Sequence, residues 1–195
     1  MGKKNKKNHA GTLDKTSLNQ TDIIIMKNIF IQYCSYNLWA TTSLVDTIKN
    51  LSEKEQHAEV KSSFPGLYKT LMHLLDVENN WWHRLNSDEK RDASNKKLPY
   101  QLAEVGALLH QYQSRWIDWI LAIEEKDFYK QVNYKNLKGE PFKQPLFQIL
   151  LHIFNHGTYH RGQLVTILQQ LNIQNIPQTD FIVWTRKEKV QPIAI

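Results

Sequence analysis

Cysteine is almost absent from this chain. Cys34 is the single one in 195 residues, so no intramolecular disulfide can form, and a reducing, cytoplasmic setting is the simpler expectation. No apolar run approaches the roughly 18–20 residues that a membrane span needs. The opening Met1-Gly2-Lys3-Lys4-Asn5-Lys6-Lys7 carries charge with no apolar stretch behind it, unlike a secretory signal. Lys6 stands where a myristoylation motif would place Ser or Thr. Internal repeats are missing as well, which sets aside solenoids and propellers.

What is present is a basic balance, a formal net charge of +6. It is unevenly spread. Residues 1–22 hold five lysines against Asp14 and Asp22, so this short stretch supplies half of the excess. Beyond it acids and bases alternate, which argues against a nucleic-acid partner and for a disordered basic extension on a nearly balanced domain. The expected division is 1–21 for the extension and 22–195 for the domain.

Within that domain apolar residues recur at three and four. From Asp22 to Lys49 the stripe is Ile25, Ile29, Tyr33, Tyr36, Ala40, Leu44 and Ile48, a first long helix. A polar linker, Ser52 to Ser63, follows. Ser62 or Ser63 can cap a second helix with Pro65 in its first turn, carrying Leu67, Leu71, Leu74, Leu75, Val77, Trp81, Trp82 and Leu85. Asn86 to Lys97 is charged and turn-like. Pro99 opens a third helix reaching about Glu124, through Leu102, Val105, Leu109, Tyr112, Trp116, Trp119, Ile120 and Ile123.

Phe128 to Tyr134 alternates like a short strand, Lys138-Gly139-Glu140 supplies a turn, and Pro141-Phe142 leads out, which together fit a small hairpin. A fourth helix spans about Pro145 to Leu171. The apolar run Asp180 to Trp184 is expected to pack back on the rest. The fold class is therefore all-α: a four-helix bundle with a small strand-turn insertion before its fourth helix.

The fourth helix carries the most informative pattern, His152, His156 and His160 at intervals of four. Residues at i and i+4 stand one turn apart, about 5–6 Å at Cβ, so two imidazoles can converge on one metal ion. Three cannot, because His152 and His160 are about 12 Å apart along the axis. Either adjacent pair then needs a ligand from another helix. His73 is the best candidate, since it lies mid-helix among apolar residues where an unpaired polar group is costly. His83 beside Arg84 reads as exposed and His110 as surface, while His9 and His57 fall in tail and linker. Gly157 follows His156 where a zinc protease of the H-E-x-x-H type needs glutamate, so that mechanism is excluded.

Leu151-His152, then Asn155-His156-Gly157-Thr158-Tyr159-His160-Arg161-Gly162-Gln163, resembles the H-x-x-x-H-R-G-Q signature of the DinB-like (DinB/YfiT-like) family. Tyr36-Asn37-Leu38-Trp39-Ala40 is similar to that family's first-helix motif, and Leu71-Met72-His73 with Glu78 and Trp82 to its second. Lys138-Gly139-Glu140-Pro141-Phe142 and Thr179-Asp180-Phe181 fit too. The resemblance covers roughly residues 26–186, and Met26 is a candidate alternative start.

The resemblance implies a bundle, commonly a homodimer, holding one divalent metal on His73, His156 and His160, with His152 as a neighbour. Three imidazoles suit zinc, nickel, copper or iron, with zinc or nickel favoured. Such a metal acidifies bound water or a bound thiol, so the reactive group would be one of these. Relatives that are thiol-dependent S-transferases or a maleylpyruvate isomerase tilt the expectation toward a small-molecule substrate and a low-molecular-weight thiol, with a hydrolase next. A non-catalytic metal-binding stress- or damage-response bundle is the alternative. Asn155 and Gln163 are candidates to support the imidazoles. Arg161 is expected in a salt bridge or against an anionic substrate, Glu78 away from His73, and Tyr36, Trp39 and Cys34 in the packing.

Overall fold

The computed structural model describes residues 20–86, 101–136 and 138–188. Residues 1–19 of the expected extension, most of the charged turn after Asn86, and Pro99 lie outside them, while residues 20 and 21 of that extension are already helical. The elements are α1 (Gln20–Lys49), α2 (Glu53–Gln56), α3 (Leu67–Leu85), α4 (Leu102–Ala122), a 3-10 turn (Glu125–Tyr129), β1 (Gln131–Lys135), β2 (Pro141–Pro145), α5 (Leu146–Gln170) and α6 (Phe181–Lys187).

The four long helices form the bundle. α1 packs beside α4 and α5, and α3 packs beside the same two, so α1 faces α3 across one diagonal and α4 faces α5 across the other. The stripes read from the sequence meet in the middle. Leu44, Ile48, Leu71, Val105, Leu109, Trp116, Ile120, Leu150, Leu164 and Leu168 are wholly buried there. Each such side chain contributes on the order of 1.5–3 kcal/mol of burial, and that packing, more than helix propensity, holds the bundle. No helix among the described residues is long and apolar enough to cross a membrane.

Both diagonal connections carry structure of their own. The first holds α2 inside what the sequence presents as plain linker. Ser52 starts it through a capping box, its hydroxyl accepting from the Glu55 amide while the Glu55 carboxylate accepts from the Ser52 amide at 2.9 Å.

The start of α3 also differs from expectation. Neither Ser62 nor Ser63 caps it and Pro65 is not in its first turn; Gly66 occupies the N-cap with φ +98°. That left-handed setting suits glycine alone, and a Cβ there would sit 2.4 Å from the Ala58 carbonyl oxygen. Freed from capping, residues 61–66 form a bent segment that crosses toward α5.

In the second connection the strand begins later than Phe128. Phe128 falls in the 3-10 turn, where its ring is fully buried and stacks on Phe30 at 5.2 Å. Burial of that ring outweighs the alternation that favours a strand. β1 and β2 then pair antiparallel, Tyr134 opposite Phe142, with Pro141 and Pro145 at the ends of β2 where proline interrupts the ladder least. The expected turn is present: Asn136 Oδ1 accepts from the Lys138 and Glu140 amides, and Gly139 has φ +82°. The late apolar run forms α6, whose Trp184 is buried against Tyr36 at 6.1 Å, while the Tyr36 hydroxyl donates to the Thr179 carbonyl.

A three-histidine candidate metal centre

α3 and α5 lie side by side, and this contact brings His73 to the ladder. The Nε2 atoms of His73 and His156 are 3.1 Å apart, and those of His160 and His156 3.0 Å. Each of the three rings offers one nitrogen to a group whose members all lie within 4.8 Å of one another. Bonds of 2.0–2.1 Å to a tetrahedral ion would put such nitrogens about 3.3 Å apart. The two separations at His156 match this to within a few tenths of an ångström.

Proton placement strengthens the case. His160 Nδ1 lies 2.7 Å from Gln163 Oε1, which can only accept, so the proton sits on Nδ1 and Nε2 presents a lone pair. In neutral rings at most one of the two contacts at His156 Nε2 can be a hydrogen bond, because that nitrogen carries either one proton or one lone pair, and the other contact is left unpaired. A shared cation satisfies all three. Burial pushes His73 and His156 down to about 4, helped by the neighbouring His160, and burial lowers His160 as well. All three are therefore neutral at pH 7, the state in which imidazole ligates. This group could hold a metal ion.

His152 stands one turn away, with its ring 5.9 Å from that of His156 and edge-on to Trp81 at 5.5 Å. Gln163 orients His160, and its other end donates to Ser63 Oγ at 3.1 Å. Asn155 does not join it. One residue before His156 it is swung about 100° round the helix, and it is exposed beside the Tyr33 hydroxyl, 3.4 Å away. His83, expected to be exposed, is half-buried with both ring nitrogens shielded, and His110 is exposed on α4 as read.

Phe64 is a component that spacing along a helix did not point to. Its ring lies on His73 with centroids 3.9 Å apart and planes 17° from parallel, and stands edge-on to His160 at 5.6 Å.

Behind the histidines runs a buried polar network that ties all four helices together. Arg161, next in the chain to His160, turns inward and is 2% exposed. Its guanidinium donates to Asn37 Oδ1 and Thr41 Oγ1 of α1 and to Thr158 Oγ1. Glu78 of α3, equally buried, accepts from Gln113 Nε2 at 2.9 Å and Trp116 Nε1 at 2.7 Å, both on α4. Gln113 also reaches Thr41. Burial raises the Glu78 carboxyl, opposed by these donors and by the Arg161 charge. Among the described residues Arg161 thus has no direct salt bridge, and it has no place at the three histidines; neutral side chains link it to Glu78. Cys34 is buried, and its thiol is pushed well up by burial and by Glu78, which suits packing and not nucleophilic attack. Tyr36 is buried and Trp39 half-buried, as expected of packing residues.

A four-helix bundle with a short hairpin before its last long helix, and three histidines meeting from two of its helices, defines the class. The DinB family matches over residues 19–188, and the chain belongs to that family. Among characterised relatives, Protein DinB of Bacillus subtilis (strain 168) is 26% identical over 180 aligned residues, which cover 84% of this chain and 99% of that protein.

Proposed function

We propose that this protein is a divalent-metal-dependent enzyme acting on a small molecule, by thiol-dependent S-transfer or by hydrolysis, with His73, His156 and His160 as the metal's ligands. The observation that carries this reading is that the His73 and His160 Nε2 atoms each lie 3.0–3.1 Å from that of His156, in a three-imidazole group with no carboxylate. A divalent ion held by imidazoles alone keeps its full charge and supplies Lewis acidity to water or to a thiol. The chain's own part is to hold the ligands neutral, to fix the His160 ring through Gln163, and to leave His73 and His156 half-exposed so that a small ligand can approach. Zinc and nickel are the proposed metals, a low-molecular-weight thiol the proposed co-substrate. A homodimer is proposed too, supported by the exposed Leu151 and Tyr159 on one face of α5. The proposed location is cytoplasmic, in keeping with a single buried thiol.

The test begins with elemental analysis of protein purified without an affinity tag, where near one metal per chain is expected. The loaded protein is then offered small thiols with electrophiles, and separately hydrolysable esters and amides, beside His160→Ala. Turnover by the wild type and not by the variant supports the enzyme. Stoichiometric metal without turnover in any of these, and a lower Tm in the variant, would replace it with a metal-stabilised, non-catalytic bundle. Absence of metal would overturn both.

A further inference from the structure

Residues 61–66 are pinned beside two of the three histidines, His73 and His160, at several points. Ser63 Oγ accepts from Gln163 Nε2 at 3.1 Å, and the same Gln163 accepts from His160 Nδ1. The Phe64 ring lies flat on His73 and edge-on to His160. The Phe64 carbonyl accepts from Thr70 Oγ1 at 3.4 Å, and Gly66 closes the segment against Ala58. One short stretch therefore touches a candidate ligand from each helix: His160 of α5 through Gln163, and His73 of α3 through a stacked ring.

Resting on the metal-centre reading above, we propose that Ser63 and Phe64 form a strap that positions the metal ligands, so that metal binding and the ordering of residues 61–66 are one coupled equilibrium. Gln163 can hold the His160 tautomer only while its own amide is oriented, and Ser63 supplies that orientation from outside the helix. Phe64 fixes the plane of His73 and keeps water off that flank, which strengthens the electrostatics of the ion beside it. Coupling of this kind is reciprocal. What the strap adds to metal affinity, the metal adds to the order of the strap.

The experiment uses the full chain and zinc, with affinity read by competition against a chromophoric chelator and strap order by amide hydrogen exchange. Zinc is expected to slow exchange in residues 61–67 of the wild type and to leave it unchanged in His160→Ala. Ser63→Ala is expected to weaken zinc binding about two- to tenfold, the worth of one partly exposed hydrogen bond, and Ser63→Thr to restore it. Phe64→Tyr should bind as the wild type does, and Phe64→Ala more weakly. With cobalt in place of zinc, the visible ligand-field bands should shift in Ser63→Ala and return in Ser63→Thr, which a purely structural role would not produce. Equal zinc affinity in all the Ser63 and Phe64 variants, or exchange at 61–67 indifferent to zinc in a wild type that does bind it, overturns the strap while leaving the metal centre standing. A wild type that binds neither zinc nor cobalt overturns both.

Discussion

Gly157 lies directly against Asn37: a Cβ added to the glycine would come 2.8 Å from Asn37 Oδ1 and 3.0 Å from Arg161 Nη1. That oxygen is the one on which the buried guanidinium donates. The glycine beside His156 is thus required by the polar network behind the histidines, and the same missing carboxylate that excludes a zinc protease makes room for an asparagine from α1.

Gly157→Ala should consequently destabilise the protein despite the better helix propensity of alanine. The added methyl must displace Asn37 or Arg161, both fully buried, and leave polar atoms unsatisfied, at about 1–3 kcal/mol. Thermal unfolding is the measurement. A Tm equal to or above that of the wild type would show that Asn37 and Arg161 yield without cost.

Glu78→Gln tests the far side of the network. Glu78 accepts from the Gln113 amide and the Trp116 indole, and Asn37 lies against it as well. A glutamine would turn its own NH2 toward one of them and remove the only buried negative charge facing Arg161 among the described residues. A loss of about 1–3 kcal/mol is expected from leaving a buried donor without its acceptor. Chemical denaturation with the slope m unchanged would report it; an unaltered midpoint would mean that Arg161 is balanced by its neutral partners alone.

Much of this molecule was legible in its sequence. Apolar spacing gives the four long helices, because a bundle helix must show one stripe to its neighbours, and the Asn136-to-Glu140 region shows its turn through Gly139. Helix arithmetic limits one ion to an adjacent histidine pair, but spacing alone cannot choose the pair. The choice depends on the level at which α3 meets α5, a property of packing that no single helix encodes. Glu78 and Arg161 carry charges that are normally solvated, so their burial is visible only once Asn37, Thr41 and Gln113 are seen around them. Ser63 and Phe64 were hidden by an attractive capping signal that Gly66 overrides through its positive φ. Gln163 could be found from spacing, since i+3 from His160 lies near the same face; Asn155, one residue before His156, could have been set aside by the same reasoning.

Acid should weaken the metal-free fold through the histidines. His73 and His156 sit at about 4 in the folded protein, against 6.5 for the free ring, chiefly through burial. As pH falls the unfolded chain takes up those protons first. The stability that these rings permit is complete above about 6.5 and is lost as pH drops toward about 4. The Tm measured in EDTA should fall over that interval, and fall less steeply in His156→Ala. Parallel profiles for the two proteins would contradict the lowered His156 value.

The ladder itself separates into unequal rungs. His156 is central, its Nε2 meeting both His73 and His160, whereas His152 meets it only ring to ring and stands against Trp81. His156→Ala should therefore lose more metal affinity than the 10–100-fold typical of removing an outer partner. His73→Ala and His160→Ala should each do the same. His152→Ala should retain one metal per chain, with affinity within about threefold, because a ring that touches a ligand without supplying a lone pair to the ion contributes only orientation. Metal content and competition titration on the four variants decide it. Loss of metal in His152→Ala with retention in His160→Ala would move the centre one turn toward the start of α5, to the pair that the spacing of the histidines allows equally well.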